Sequence, residues 1–214
     1  AAGAARGIIA VMQFQPVAAG PSAIGKIRHV RPGVRDARLA WRAARPHYRL
    51  MRAEPQAADY RGDPRILQLS GWLGDPVRAA DFPRLDLRFR NRRWDRAVGL
   101  DKLDDAEWTR HFGQFAPLSG NLPQPLALRY HGHQFRVYNP EIGDGRGFLF
   151  AQLRDGNDRL LDLGTKGSGT TPYSRRGDGR LTLKGGVREI LATEMLEALG
   201  VNTSKTFALI ETGE

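Results

Sequence analysis

Two short apolar runs separated by a polar break dominate the second half of the chain. FLFAQL (148–153) and RLLDL (159–163) have the apolar density of strands, and Asp155-Gly156-Asn157-Asp158 between them carries the composition of a hairpin turn. After Gly185-Gly186 the period changes. VREILATEMLEAL (187–199) predicts a helix with Val187, Ile190, Leu191, Met195 and Leu199 on one side, and Gly200 is placed as its C-terminal stop. TFALIE (206–211) predicts another strand. Upstream, Trp94, Val98 and Leu100 lead into DKLDDAEWTRHFGQF, where Leu103, Trp108 and Phe112 recur near helical spacing; Leu122-Pro-Gln-Pro125 then marks a turn or an extended link. Strand, hairpin, strand, helix and strand in that order predict an α+β unit, an antiparallel sheet with a packed helix.

Texture divides the chain into three. Residues 1–50 are rich in Ala and Arg with little clean periodicity, residues 51–80 form a mixed polar lead-in, and residues 81–214 read as globular. Charge follows the same division. The net charge of +10 would suggest nucleic acid or an acidic membrane surface. Nine Lys/Arg stand against the single acid Asp36 in residues 1–50, leaving 24 basic and 22 acidic residues for the rest. The basicity therefore belongs to the first fifty residues, and whole-chain charge is a poor argument for nucleic acid. Three readings of residues 1–50 stand: a disordered basic arm, an organelle-targeting segment, or a non-native extension ahead of a start at Met51. With no cysteine the chain has no disulfide framework, thiolate catalysis or cysteine zinc site. No uncharged apolar stretch reaches about eighteen residues, so no membrane-spanning helix is expected. The expected location is the cytoplasm, or the mitochondrion if residues 1–50 are a transit peptide.

Four constellations could carry chemistry. Gly143-Asp144-Gly145-Arg146-Gly147 stands just before a strand, where glycines let backbone N–H groups approach an anion; a plain β-turn or bulge would use the same residues. Lys166 ends the second strand, twenty-three residues ahead of Glu189 on the helix. A sheet lysine that neutralises phosphate, held by a helix carboxylate, needs such a relation, although an exposed strand-end lysine has the same spacing. On a helical wheel Glu194, not Glu189, falls within the apolar stripe and is the nominee for a buried acid. GTKGSGTTPYSRRGDGR (164–180) supplies backbone, hydroxyl and arginine donors suited to phosphate, or is simply a long exposed loop. It is no Walker motif, because Lys166 precedes Gly167-Ser168-Gly169. In YHGHQF (130–135), His131 and His133 could share one side of a strand, but no third ligand cluster is evident, and a structural role is preferred to metal binding.

Taken together, YHGHQF (130–135), GDGR (143–146), TKGSGTTPYSRRGDGR (165–180) and REILATEMLEALG (188–200) resemble the SelO (YdiU) family in order and spacing. The resemblance covers about residues 81–214. It implies a protein-kinase-like N-terminal lobe with an antiparallel sheet and a packed αC-like helix, stopping short of the C-terminal lobe. ATP would bind in a flipped orientation, and AMP would pass to Ser, Thr or Tyr hydroxyls of protein substrates. Gly143, Gly145 and Arg146 would contact the nucleotide, Lys166 would bind its phosphates, Glu189 would pair with Lys166, and Asp178 with Gly179 would help hold the inverted nucleotide. Mg²⁺ is implied, but the family's catalytic aspartate and metal-ligating Asn and Asp would lie beyond residue 214. Arg136, where the family commonly has glycine, and Thr165, where an aliphatic residue is usual, are departures. The rival expectations are a conventional ATP-dependent kinase, a nucleic-acid-binding module through residues 1–50, and a nucleotide-binding pseudoenzyme.

Overall fold

A computed structural model describes residues 7–16 and 54–214. The elements run β1 (Gly7–Pro16), α1 (Ser70–Leu73), β2 (Gly74–Pro76), β3 (Asp86–Arg90), α2 (Arg92–Ala97), α3 (Asp105–Phe112), β4 (Leu126–Leu128), β5 (Gly132–Gln134), β6 (Val137–Asn139), β7 (Leu149–Arg154), β8 (Leu160–Gly164), β9 (Leu181–Thr182), α4 (Leu183–Ala198) and β10 (Lys205–Glu211). The main sheet has the order β2-β4-β7-β8-β1-β10-β3, with β9 beside β1, and β5 and β6 form a separate hairpin. Every pairing among these strands is antiparallel. This is a mixed α/β architecture with an antiparallel sheet.

Local chemistry explains the elements that were legible. In the β7–β8 hairpin the Asp155 carboxylate accepts hydrogen bonds from the backbone N–H groups of Asn157 and Arg159, closing the turn. Helix α3 begins at a capping box, in which Asp104 accepts from Glu107 N and the Glu107 side chain accepts from Asp104 N. Its Trp108 and Phe112 are fully buried and meet Phe207 of β10 at ring-centroid distances of 4.8 and 5.3 Å. Phe14 of β1 meets the same ring at 4.6 Å. Each such burial contributes about 1.5–3 kcal/mol, so this aromatic group anchors α3, β1 and β10 together.

Two expectations change. Within the 1–50 segment, read as a basic arm or extension, Gly7–Pro16 forms a central strand paired with both β8 and β10. The apolar run Ile8–Met12 supplies a strand-forming sequence inside that Arg/Ala-rich context. The proposed start at Met51 and the remainder of the segment lie outside the described residues. Helix α4 is also different. It starts at Leu183, because Thr182 caps it by accepting from Gly185 N, and it runs through Gly185-Gly186. Its apolar stripe is turned outward: Val187, Leu191, Met195 and Leu199 are all exposed. The face on the sheet is formed by Gly186, Ile190 and Thr193, with Ile190 packed on Leu209. The small side chains there let the helix lie close to the strands. Gly200, at φ +76°, ends the helix as its sequence position suggests, and Val201 N reaches back to Leu196 O. No helix among the described residues is long and apolar enough to cross a membrane.

Candidate phosphate-binding cleft

A cleft of about 930 Å³ opens where the end of β8, the 143–147 turn and the 164–180 loop converge. Lys166 lies two residues past the end of β8, and its Nζ donates to Glu189 Oε2 at 3.0 Å. Gln13 Nε2 donates to the same oxygen at 2.9 Å. Burial pushes the Glu189 carboxyl up. The hydrogen bonds from Lys166 and Gln13, with the nearby charges of Lys166 and Arg188, outweigh burial and hold it below the ordinary glutamate value. Glu194, the wheel's nominee, is engaged elsewhere: Arg93 Nη2 reaches its two oxygens at 3.1 and 3.0 Å, and Asn91 Nδ2 donates at 2.9 Å. The wheel does mark the less exposed acid, Glu194 at 22 % against 31 % for Glu189, but burial does not pick out the acid that meets Lys166.

The glycine-rich turn is fastened to the loop by many bonds. Gly167 N donates to Arg146 O at 3.1 Å, Ser174 Oγ to Gly145 O at 2.7 Å, and Thr171 Oγ1 to Asp144 O. Tyr173 lays its ring on Gly143, which has φ +53°; a Cβ there would sit 2.2 Å from the ring. At Gly147 a Cβ would fall 1.6 Å from Thr165 O. These glycines are thus required by backbone packing of turn on loop, whatever else they contact. Tyr173 OH donates to Asp75, which also pairs with Arg129. Those bonds hold the Asp75 carboxyl down at about 2, so the brace stays charged throughout the ordinary pH range.

Arg146 and Asp178, both expected to meet nucleotide, meet each other: Arg146 Nε donates to Asp178 Oδ1 at 3.0 Å. Asp178 Oδ2 also accepts from Arg175 N at 2.9 Å, so this nearly buried carboxylate fastens the loop, whereas the Arg146 side chain is 81 % exposed along the cleft. Gly179 is buried, and its carbonyl accepts from Gly169 N. Gly143, Gly145, Arg146, Lys166 and Asp178 all line the cleft. Gly179 does not line it. Two carboxyls that the sequence reading missed also face it, Asp144 and Asp162. Burial pushes both up, and Asp162 adds its charge to the effect on Asp144. Asp162 keeps a 2.6 Å hydrogen bond from Gln152 Nε2.

His131 and His133 both lie beside Tyr138, tilted and edge-on at 5.6 Å between centroids, and His131 Nδ1 shares a 2.8 Å hydrogen bond with Tyr138 OH. Among the described residues no group of three or more His, Asp or Glu is placed to hold a metal ion. Gln13, the acid's second partner, was also missed; its signal was the apolar run Ile8–Met12 leading into it.

Fold and cleft together define an α/β protein with a polyanion-sized opening lined by Lys166, Arg146, Arg175 and Arg176. The chain belongs to the SelO (YdiU) family: the family model described as protein adenylyltransferase SelO matches residues 57–214. It is 54 % identical over 154 residues to the protein nucleotidyltransferase YdiU of Synechococcus elongatus, covering 71 % of this chain and 30 % of that relative. A protein of the same name from Synechocystis is 54 % identical over 154 residues, covering 71 % and 31 % of the two chains. One from Aeromonas salmonicida is 39 % identical over 143 residues, covering 67 % and 30 %. The chain thus spans about a third of the length of these relatives.

Proposed function

We propose that this chain is the nucleotide-holding part of a protein adenylyltransferase, built as a kinase-like N-terminal lobe in which α4 plays the part of the αC helix. The observation that carries the reading is the Lys166–Glu189 pair at 3.0 Å, opening onto the same cleft as the Gly143–Gly147 turn. An ammonium fixed by a helix acid, but still 41 % exposed, is free to meet phosphate oxygens. Arg146, Arg175 and Arg176 add further positive charge around the triphosphate of ATP. The reaction is attack by a Ser, Thr or Tyr hydroxyl oxygen of a protein substrate on the α-phosphorus. The α–β anhydride bond breaks, pyrophosphate leaves, and the hydroxyl proton passes to a general base. The contribution of these residues is positioning and charge neutralisation, which dominate such transfers.

The family resemblance implies Mg²⁺, and the carboxyls that face the cleft are Asp144, Asp162 and Asp178. Asp178 is committed to Arg146 and Arg175, and no three-ligand group stands among the described residues. No step is assigned to a metal bound by this chain. The test is transfer by the intact protein from ATP labelled at the α- or the γ-phosphate. Label reaching protein from the α position alone supports adenylyl transfer, and label from the γ position alone makes the protein a conventional kinase.

A further inference from the structure

Glu189 receives two donors on one oxygen, and only one of them is a cation. Gln13 sits in β1 opposite Gly164 of β8 on one side and Thr206 of β10 on the other. Its side chain is almost wholly buried. Gly164 is two residues before Lys166, so the strand that delivers Gln13 lies beside the one that delivers the lysine. On the other side, Thr206 Oγ1 approaches the Glu189 carbonyl at 3.4 Å and shares a 2.7 Å bond with Thr193 Oγ1, which itself donates to Glu189 O at 2.9 Å. The acid is therefore held at its carboxylate by β1, while its carbonyl accepts from Thr193 of its own helix, whose hydroxyl is in turn bonded to Thr206 of β10.

We propose that Gln13 is a positioning residue for phosphate binding: its amide holds the Glu189 carboxylate in place so that Lys166 is aimed into the cleft even when phosphate draws the ammonium forward. The inference rests on the phosphate-binding reading above. Gln13 lies outside residues 57–214, the stretch that the family model matches. A neutral donor suits the task. It fixes the carboxylate without adding charge, whereas a second cation would compete with Lys166 for Glu189 and repel the ammonium, and its donor capacity does not change with pH. Lysine freed from a fixed acid would sample many rotamers, and nucleotide binding would have to order it again.

The groups facing the Glu189 carboxylate are Lys166 after β8, Gln13 on β1 and Arg188 on its own helix, with the Thr206 hydroxyl at its carbonyl. Removing the amide leaves burial opposed by fewer donors, so the carboxyl takes up a proton at higher pH. The test is titration of a fluorescent ATP analogue onto the intact protein across pH, for the wild type, Gln13→Leu, Gln13→Glu and Lys166→Ala. Gln13→Leu should weaken binding about tenfold, the scale of one hydrogen bond to a charged group, and move the acid limb of the binding profile to higher pH. Gln13→Glu keeps the size and polarity and so guards against a folding failure; it should move that limb further, because two carboxylates then share the site. Profiles of both variants that superimpose on the wild type while Lys166→Ala loses binding would overturn the role of Gln13 alone. Unchanged binding in Lys166→Ala would overturn the phosphate-binding reading and this inference with it. Weaker binding with no movement of the acid limb would make Gln13 a merely structural residue and would also overturn the proposal.

Discussion

Lys166 Nζ and Gln13 Nε2 converge on a single oxygen of Glu189, at 3.0 and 2.9 Å. A carboxylate that takes both donors on Oε2 is oriented, and the lysine is oriented with it. Lys166 is 41 % exposed, so the ion pair contributes only about 0–1 kcal/mol to folding. Lys166→Ala should therefore leave the melting temperature nearly unchanged while abolishing most nucleotide affinity and transfer. Calorimetric melts beside ATP titrations check this; a large loss of stability with affinity preserved would contradict it.

The pH dependence of the pair has a definite sign. The folded Glu189 carboxyl titrates below its ordinary value of 4.5. Its contribution is fully present above that value and is lost as the pH falls through the lower folded value. Nucleotide affinity should accordingly be insensitive to Glu189 titration from neutral pH down to that value and decline only in stronger acid. Replacing Glu189 by Gln should remove this acid limb while lowering affinity at neutral pH.

Asp162 predicts the opposite sign. Burial raises its carboxyl above the ordinary 3.8, so its ionised form opposes folding. Stability is greatest below the ordinary value and is lost as pH rises through the raised one. Asp162→Asn keeps an oxygen to accept from Gln152 Nε2 and removes the charge, so it should stabilise the fold at pH 7. The gain should vanish below the ordinary value. Urea unfolding at two pH values measures it.

Gly143 predicts a coupling. A Cβ there meets the Tyr173 ring at 2.2 Å and must also adopt φ +53°. Gly143→Ala should destabilise by roughly 1–3 kcal/mol, combining overpacking with the backbone penalty. In a Tyr173→Ala background the same change at Gly143 should cost only the backbone part, about 1 kcal/mol. Additive single costs in this double-mutant cycle would show that the turn does not carry the ring.

Much of this arrangement was legible in the sequence. β7, β8 and β10 follow from apolar runs, and α3 from its spacing of apolar residues. Helix α4 turns Val187, Leu191, Met195 and Leu199 outward and packs through Gly186 and Thr193, and burial does not choose between Glu189 and Glu194, because the less exposed Glu194 pairs with Arg93. A wheel finds the inward face only when burial and hydrophobicity coincide. Gln13 escaped because the arginines and alanines around Ile8–Met12 set the local composition, whereas strand pairing depends on the short apolar run. The loop at 164–180 announced its donors but not its pairings, and Asp178 facing Arg146 is set by a turn 32 residues upstream.

That pairing separates two residues that the sequence placed in one role. Asp178 is nearly buried and accepts from both Arg146 Nε and Arg175 N, so Asp178→Ala removes the acceptor for a backbone donor and unfastens the loop. Arg146 is largely exposed, and Arg146→Ala removes a cleft cation while Arg175 N keeps its partner. Loop cleavage by trypsin at Arg175, Arg176 and Arg180 reports the difference, because local opening exposes those bonds. Asp178→Ala should be cut several-fold faster than the wild type, whereas Arg146→Ala should be cut less than twofold faster, in line with the small cost of an exposed pair. ATP should slow cleavage of the wild type by holding the loop, and slow it less in Arg146→Ala, where one cleft cation is gone. Equal cleavage of the two variants without ATP would mean that the loop is fastened by Thr171, Ser174 and Tyr173 alone, and Asp178 would then have no fastening role.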